Sequence, residues 1–129
     1  METIAERIAL NVMGWQILLI STDSTTDATL QAWIDDVGID HVGTYYIDRA
    51  RNRFIAVDDW EPEHDIGQAK RVIDRMAELG FWCQIYTTHS SYWAGFGLRT
   101  RLYPDWTCAA SIESAICLAA LAAIARDTK

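Results

Sequence analysis

The sequence predicts an α/β fold in which helices are layered against a mostly antiparallel sheet. Three observations carry that expectation. The chain has 129 residues, half of them hydrophobic, which suits one domain with a sizeable core and leaves no room for two cores and a linker. Three segments repeat apolar residues at helical spacing. Between them lie short apolar or alternating runs, paired about polar loops, as antiparallel strands are.

From Thr3 to Met13, Ile4, Ala5, Ile8, Ala9 and Val12 recur one helical turn apart, and Gly14 supplies a stop. Trp15 to Ile20 is too short for a buried helix and reads as a strand covered on both faces. Residues 21–43 open with a cluster of Ser, Thr and Asp and then offer a short helix, Ala28 to Val37, or a loop. Tyr45-Tyr46-Ile47 and Phe54-Ile55-Ala56-Val57 flank a polar centre that contains Arg49, Arg51 and Arg53, so they form a hairpin with a solvated tip.

Trp60-Glu61-Pro62-Glu63-His64-Asp65 leads into the clearest helix, where Ile66, Ala69, Val72, Ile73, Met76 and Ala77 make one apolar stripe and Gly80 ends it. The acids before it sit at the positive end of the helix dipole. Phe81 to Thr87 and Tyr92 to Arg99 then form two strands joined through Thr88-His89-Ser90-Ser91. Alternation places Phe81, Cys83 and Ile85 on one face and Trp82, Gln84 and Tyr86 on the other. On the second strand Trp93, Gly95 and Gly97 lie opposite Ala94 and Phe96, and the glycines let an aromatic ring or a backbone approach closely. Ser111 caps a final helix reaching about Arg126. That helix is apolar around its whole circumference from Ala115 to Ile124, so it must be buried on more than one side. The sheet covers one side. Helix one or a second copy of the chain covers another, and a homodimer through Ala115, Ala119, Ala122 and Ala123 is expected. Helices one and three share a face of the sheet, and the single stripe places helix two.

Three segments together resemble the phage ABA sandwich domain family, small proteins of phages and prophages. Ala5-Glu6-Arg7 through Val12-Met13-Gly14-Trp15 is similar to its opening helix with the Val-Met-Gly-Trp ending. Trp60-Glu61-Pro62 with Asp65, Ile66 and Ala69 resembles its lead-in to the middle helix, and Ala115-Ile116-Cys117-Leu118-Ala119-Ala120-Leu121 resembles its alanine-rich terminal helix. These segments cover about half the chain. The likeness does not extend through residues 21–56, and His64 stands where the family usually has Ser or Thr. The resemblance implies an alpha-beta-alpha sandwich and lends no catalytic residue.

Chemistry-bearing motifs are sparse. The net charge of -7 disfavours duplex nucleic acid and anionic membrane as partners. Most of that charge lies in the middle of the chain, through Asp35, Asp36, Asp40, Asp58, Asp59, Glu61, Glu63 and Asp65, as a solvated face or an acidic contact surface. His64 and its neighbouring acids match no metal motif and read as a capped helix start, so no metal or cofactor is expected. His89 among hydroxyl residues lacks a nucleophile elbow. Neither a dinucleotide fingerprint nor a P-loop occurs. The odd cysteine count and the absence of CxxC argue for reduced thiols, with Cys83 and Cys117 as core residues of raised pKa and Cys108 less buried. The N-terminus does not read as a secretory signal, and the apolar run of the last helix falls well short of the ~20 residues that span a bilayer, so a cytoplasmic protein is expected.

Six tryptophans exceed what such a core needs. Trp82, Tyr86 and Trp93 lie opposite the face that receives the helix, so either a second helix layer covers them or they form an exposed aromatic surface. The sequence therefore points to a noncatalytic phage or prophage accessory protein that binds a host protein in the bacterial cytoplasm. Trp60, Trp82, Trp93, Asp58, Asp59, Glu61 and Glu63 are its candidate contact residues. The alternative is a small-ligand or nucleotide-sequestering protein that meets phosphates with Arg49, Arg51, Arg53, Arg99 and Arg101.

Overall fold

The computed structural model describes residues 3–20, 43–51, 53–98 and 105–127. Of the segment 21–43, expected as a short helix or a loop, residues 21–42 with Asp35, Asp36 and Asp40 lie outside the described residues, as do Arg99 and Arg101. Among the described residues there are three helices and two three-stranded sheets, every strand pair antiparallel, so the α/β class is as expected. The chain divides into two compact units. The first is Met1–Gly14 with Glu61–Lys129, and the second is Trp15–Trp60.

The first unit opens with α1, Ile4–Arg7, whose N-terminus is capped by the Thr3 hydroxyl accepting from the Glu6 N–H. The helix widens into a π-helical turn over Ile8–Val12, closed by the Met13 N–H donating to the Ile8 carbonyl five residues back. Gly14 leaves the helix at φ +74°, a left-handed conformation that glycine adopts without a Cβ penalty. Arg75 seals this end from outside, its Nε donating to the Val12 carbonyl at 3.1 Å.

Helix α2, Ile66–Glu78, is capped by the Asp65 carboxylate accepting from the Gln68 N–H at 3.0 Å. The Gln68 side chain reaches back to accept from the Glu61 N–H, tying the lead-in segment to the first turn of the helix. The buried stripe is Ala69, Val72 and Met76; Ile66 is exposed because it occupies the first helical position, at the end of the stripe. Gly80, at φ +95°, turns the chain into β4, Phe81–Thr87. Strands β4, β5 (Tyr92–Leu98) and β6 (Asp105–Ala109) form a sheet in that order. The last of these was not anticipated from sequence.

The final helix, α3, runs Ile112–Asp127, and the Ser111 hydroxyl accepts from the Ser114 N–H as its cap. Its wet-side problem is solved within the unit. The helix packs on β5 and β6, against α2, and against the π-helical turn of α1. Ala115, Ala119 and Ala123 are thereby buried, each at 2% exposure or less, and of the four alanines expected at a dimer contact only Ala122 is exposed. Of the two shields expected for this helix, helix one or a second copy, the first is present within the chain.

The second unit is a meander of β1 (Gln16–Ile20), β2 (Gly43–Asp48) and β3 (Arg53–Ala56), followed by a single 3-10 turn, Val57–Asp59. Its aromatic centre is Trp15, which meets Trp60 edge-on at 4.7 Å between ring centroids and Tyr46 at 6.0 Å. The tip of the β2–β3 hairpin is solvated, with Arg49, Ala50, Arg51 and Arg53 exposed. Asp48 is buried, its Oδ1 accepts from the Arg51 N–H, and its Oδ2 lies 3.5 Å from the Arg53 guanidinium and 3.6 Å from that of Arg51.

Candidate functional site

The register of β4, β5 and β6 sorts their side chains onto two chemically different faces. Residues opposite one another in the ladder share a face, so Phe81, Cys83, Ala94 and Phe96 look one way and lie beneath the helices. Ala94 and Phe96 are buried there. Trp82, Gln84 and Tyr86 on β4, Trp93, Gly95 and Gly97 on β5, and Trp106 and Cys108 on β6 look the other way. This second face carries four large aromatic side chains and no charge among the described residues.

The four rings have different roles. Trp82 lies over Gly97, where a Cβ would stand 2.8 Å from its six-membered ring, and its indole N–H donates to the Leu98 carbonyl at 2.9 Å. It is half-buried and fixed, a lid on the strand rather than a contact. Trp93 is also half-buried, and its indole N–H donates to the Ser91 hydroxyl at 3.2 Å. Ser91 is held in turn by Thr88: its N–H donates to the Thr88 hydroxyl, and the two hydroxyl oxygens are 2.6 Å apart. The hydroxyl residues that flank His89 therefore lock the hairpin and orient a ring.

Tyr86 and Trp106 are the open pair, 57% and 43% exposed. They sit on the two outer strands and reach toward each other across β5, with centroids 6.5 Å apart and planes at 65°. Gly95 stands directly beside Trp106 in the ladder, so no β5 side chain intervenes at that level. With Trp93 they line a shallow, almost wholly apolar depression of about 380 Å³.

The residues expected to form the contact surface fare unequally. Trp82 and Trp93 share the aromatic face. Trp60 does not present a ring to a partner: it is 1% exposed and stacked edge-on against Trp15 in the second unit, so its assignment as a contact residue is corrected by its burial. Asp58 and Asp59 are exposed on the 3-10 turn of that unit. Glu61 is exposed at the lead-in to α2; Glu63 is half-buried, and its carbonyl accepts from the Ser114 hydroxyl of α3 at 3.4 Å, on the helix side of the sheet. Trp106 and Tyr86 are the members missing from the sequence-level set. Tyr86 was legible from the alternation of β4, whereas Trp106 required recognition of β6, a five-residue strand shortly after Pro104.

The phosphate-binding alternative loses part of its basis, because Arg51 and Arg53 share the buried Asp48 carboxylate and Arg49 donates to the Gln16 side chain at 3.2 Å. Among the described residues, no three His, Cys, Asp or Glu side chains come together as a metal site, and His64 is exposed. Burial pushes the Cys83 thiol up to about 11. Burial, with the carboxylates of Glu63 and Glu113 adding, pushes the Cys117 thiol up to about 12. Cys108 is exposed on the aromatic face.

The model of the phage ABA sandwich domain matches residues 6–121, spanning both compact units. The chain belongs to that family. No curated protein and no solved structure matches it. Membership fixes the phage association and the α/β sandwich, and the family's description states no activity. No helix among the described residues is long and apolar enough to cross a membrane.

Proposed function

We propose that this phage ABA sandwich protein is a noncatalytic accessory factor that acts by binding a host protein in the bacterial cytoplasm through the aromatic face of its β4–β5–β6 sheet. The observation that carries the reading is the exposed pair Tyr86 and Trp106 beside Trp93. Large rings left in water lower solubility unless they are used, and Trp and Tyr are enriched among residues that dominate protein interfaces. The face is rigid, since Trp93 and Trp82 are both hydrogen-bonded in place. A rigid aromatic patch loses little conformational entropy on docking.

The test is site-specific photo-crosslinking in host cells, with p-benzoylphenylalanine at position 86 or, as control, at position 74 on α2. One discrete host adduct from position 86, absent from position 74 and lost with Trp106→Ala, is the expected result. Identical adducts from both positions, or adducts indifferent to Trp106, would refute it.

A second reading is supported by the size of the depression, which lies within the range of small-molecule sites, roughly 300–1,000 Å³. A planar ligand stacked on Trp106 would co-purify and show in the ultraviolet spectrum of the denatured, filtered protein.

A further inference from the structure

The geometry points to a cation-accepting site: the depression between Tyr86, Trp93 and Trp106 receives a guanidinium group, the side chain of an exposed arginine on a basic segment of the protein partner. This rests on the aromatic face being the contact surface and specifies what that surface recognises. An aromatic ring presents a negative face, and a cation within about 6 Å of its centroid is attracted to it. The Tyr86 and Trp106 rings meet edge-on with centroids 6.5 Å apart, so a group resting over the pair from the open side of the depression lies within that range of both. The register places no Lys or Arg on this face among the described residues.

Charge selects the same class of occupant. The chain carries a net charge of -7 and draws cations at long range. An anionic group finds no cationic partner among the residues that line the depression, and the indole N–H of Trp93 is taken by Ser91 and that of Trp82 by the Leu98 carbonyl, so only the neutral Trp106 N–H and Tyr86 hydroxyl are left to meet it. A guanidinium fits better than an ammonium, being planar, able to stack and more weakly hydrated, so less is lost when apolar walls displace its water. A second copy of the chain brings another -7 and is the disfavoured occupant.

The experiment is a titration of the ¹⁵N-labelled full chain, reading the tryptophan indole N–H resonances at low salt. The probes are N-acetyl-arginine amide, its neutral isostere N-acetyl-citrulline amide, and adenosine monophosphate as a planar anion. The arginine probe is expected to shift the Trp106 and Trp93 signals saturably, roughly 5-fold more tightly than the citrulline probe, in keeping with a cation–π contribution at a partly exposed site. Added salt should weaken it, and Trp106→Ala should abolish it. Equal response to both isosteres, a stronger response to the nucleotide, or no response to the arginine probe overturns the proposal. Light scattering that shows a dimer abolished by Trp106→Ala also overturns it, by naming a different occupant. None of these failures removes a host adduct from position 86, so the cation assignment and the docking reading fall separately.

Discussion

Gly97→Ala is the sharpest test of how the aromatic face is built. The added Cβ would lie 2.8 Å from two carbons of the Trp82 six-membered ring and 3.1 Å from its nitrogen, closer than packed atoms sit. Trp82 is held against Gly97 by its bond to the Leu98 carbonyl, so the ring cannot retreat and keep that bond. Overpacking of this kind costs about 1–3 kcal/mol, and a lost hydrogen bond about 1 kcal/mol more. Replacing glycine in a strand returns roughly 0.5–1 kcal/mol of chain entropy, which leaves a net loss of about 2 kcal/mol. Urea denaturation should show this as a lower midpoint with an unchanged slope. The decisive measurement is the double-mutant cycle with Trp82→Ala: removal of the ring removes the clash, so the two losses must be strongly non-additive. A Gly97→Ala protein as stable as the parent, or an additive cycle, would refute the claim that glycine is there to seat Trp82.

Phe96→Ala and Trp106→Ala probe opposite faces of one sheet: the first should cost about 3–5 kcal/mol and the second stay within about 0.5 kcal/mol in the same denaturation assay. Asp65→Ala removes the cap of α2 and should cost about 1 kcal/mol, while Asp65→Ser should retain most of it. An Ellman titration of the native protein at pH 8 should label Cys108 rapidly and Cys83 and Cys117 only on unfolding, since only the first is exposed. The Cys117 thiol stays protonated in the fold up to about 12 while the unfolded chain ionises near 9. Its contribution to stability is therefore complete below pH 9 and is lost as pH rises from 9 toward 12, and Cys117→Ala should flatten that alkaline slope in thermal melts.

Elements with a strong local signal were legible in the sequence. The stripe of α2, the stops at Gly14 and Gly80, the Ser111 cap and the alternation of β4 and β5 each depend on residues close in the chain, and each appears in the structure where local chemistry puts it. What escaped depends on long-range partners. Strand β6 is five residues whose pairing is set by β5, with little periodicity of its own. Trp60 stands next to an acidic run and looks exposed by composition, yet Trp15, distant in sequence, buries it. Asp48 reads as one more hairpin acid, and only the fold shows it buried beneath two of the three arginines beside it. The candidate site was half visible for the same reason. Alternation placed Trp82, Tyr86 and Trp93 on one face, but which of them is fixed and which is free depends on Gly97, Ser91 and the neighbouring strand.

The coverage of α3 bears directly on function. A helix without a polar side demands partners, and a second chain would satisfy that demand as well as α1 and α2 do. These helices and one sheet face cover most of α3, and although Ile66, Leu79, Ile85 and Tyr92 are exposed elsewhere in the first unit, the reverse of that sheet leaves an aromatic patch open at Tyr86 and Trp106. That leftover differs from the buried face in kind. The helix side is alanine, isoleucine and phenylalanine, suited to close packing; the open side is tryptophan and tyrosine with two glycines, suited to receiving a flat or cationic group. Selection for stability alone would favour polar residues at 86 and 106, since neither ring adds to the core. Their exposure is therefore better explained by something that binds them than by anything the fold requires.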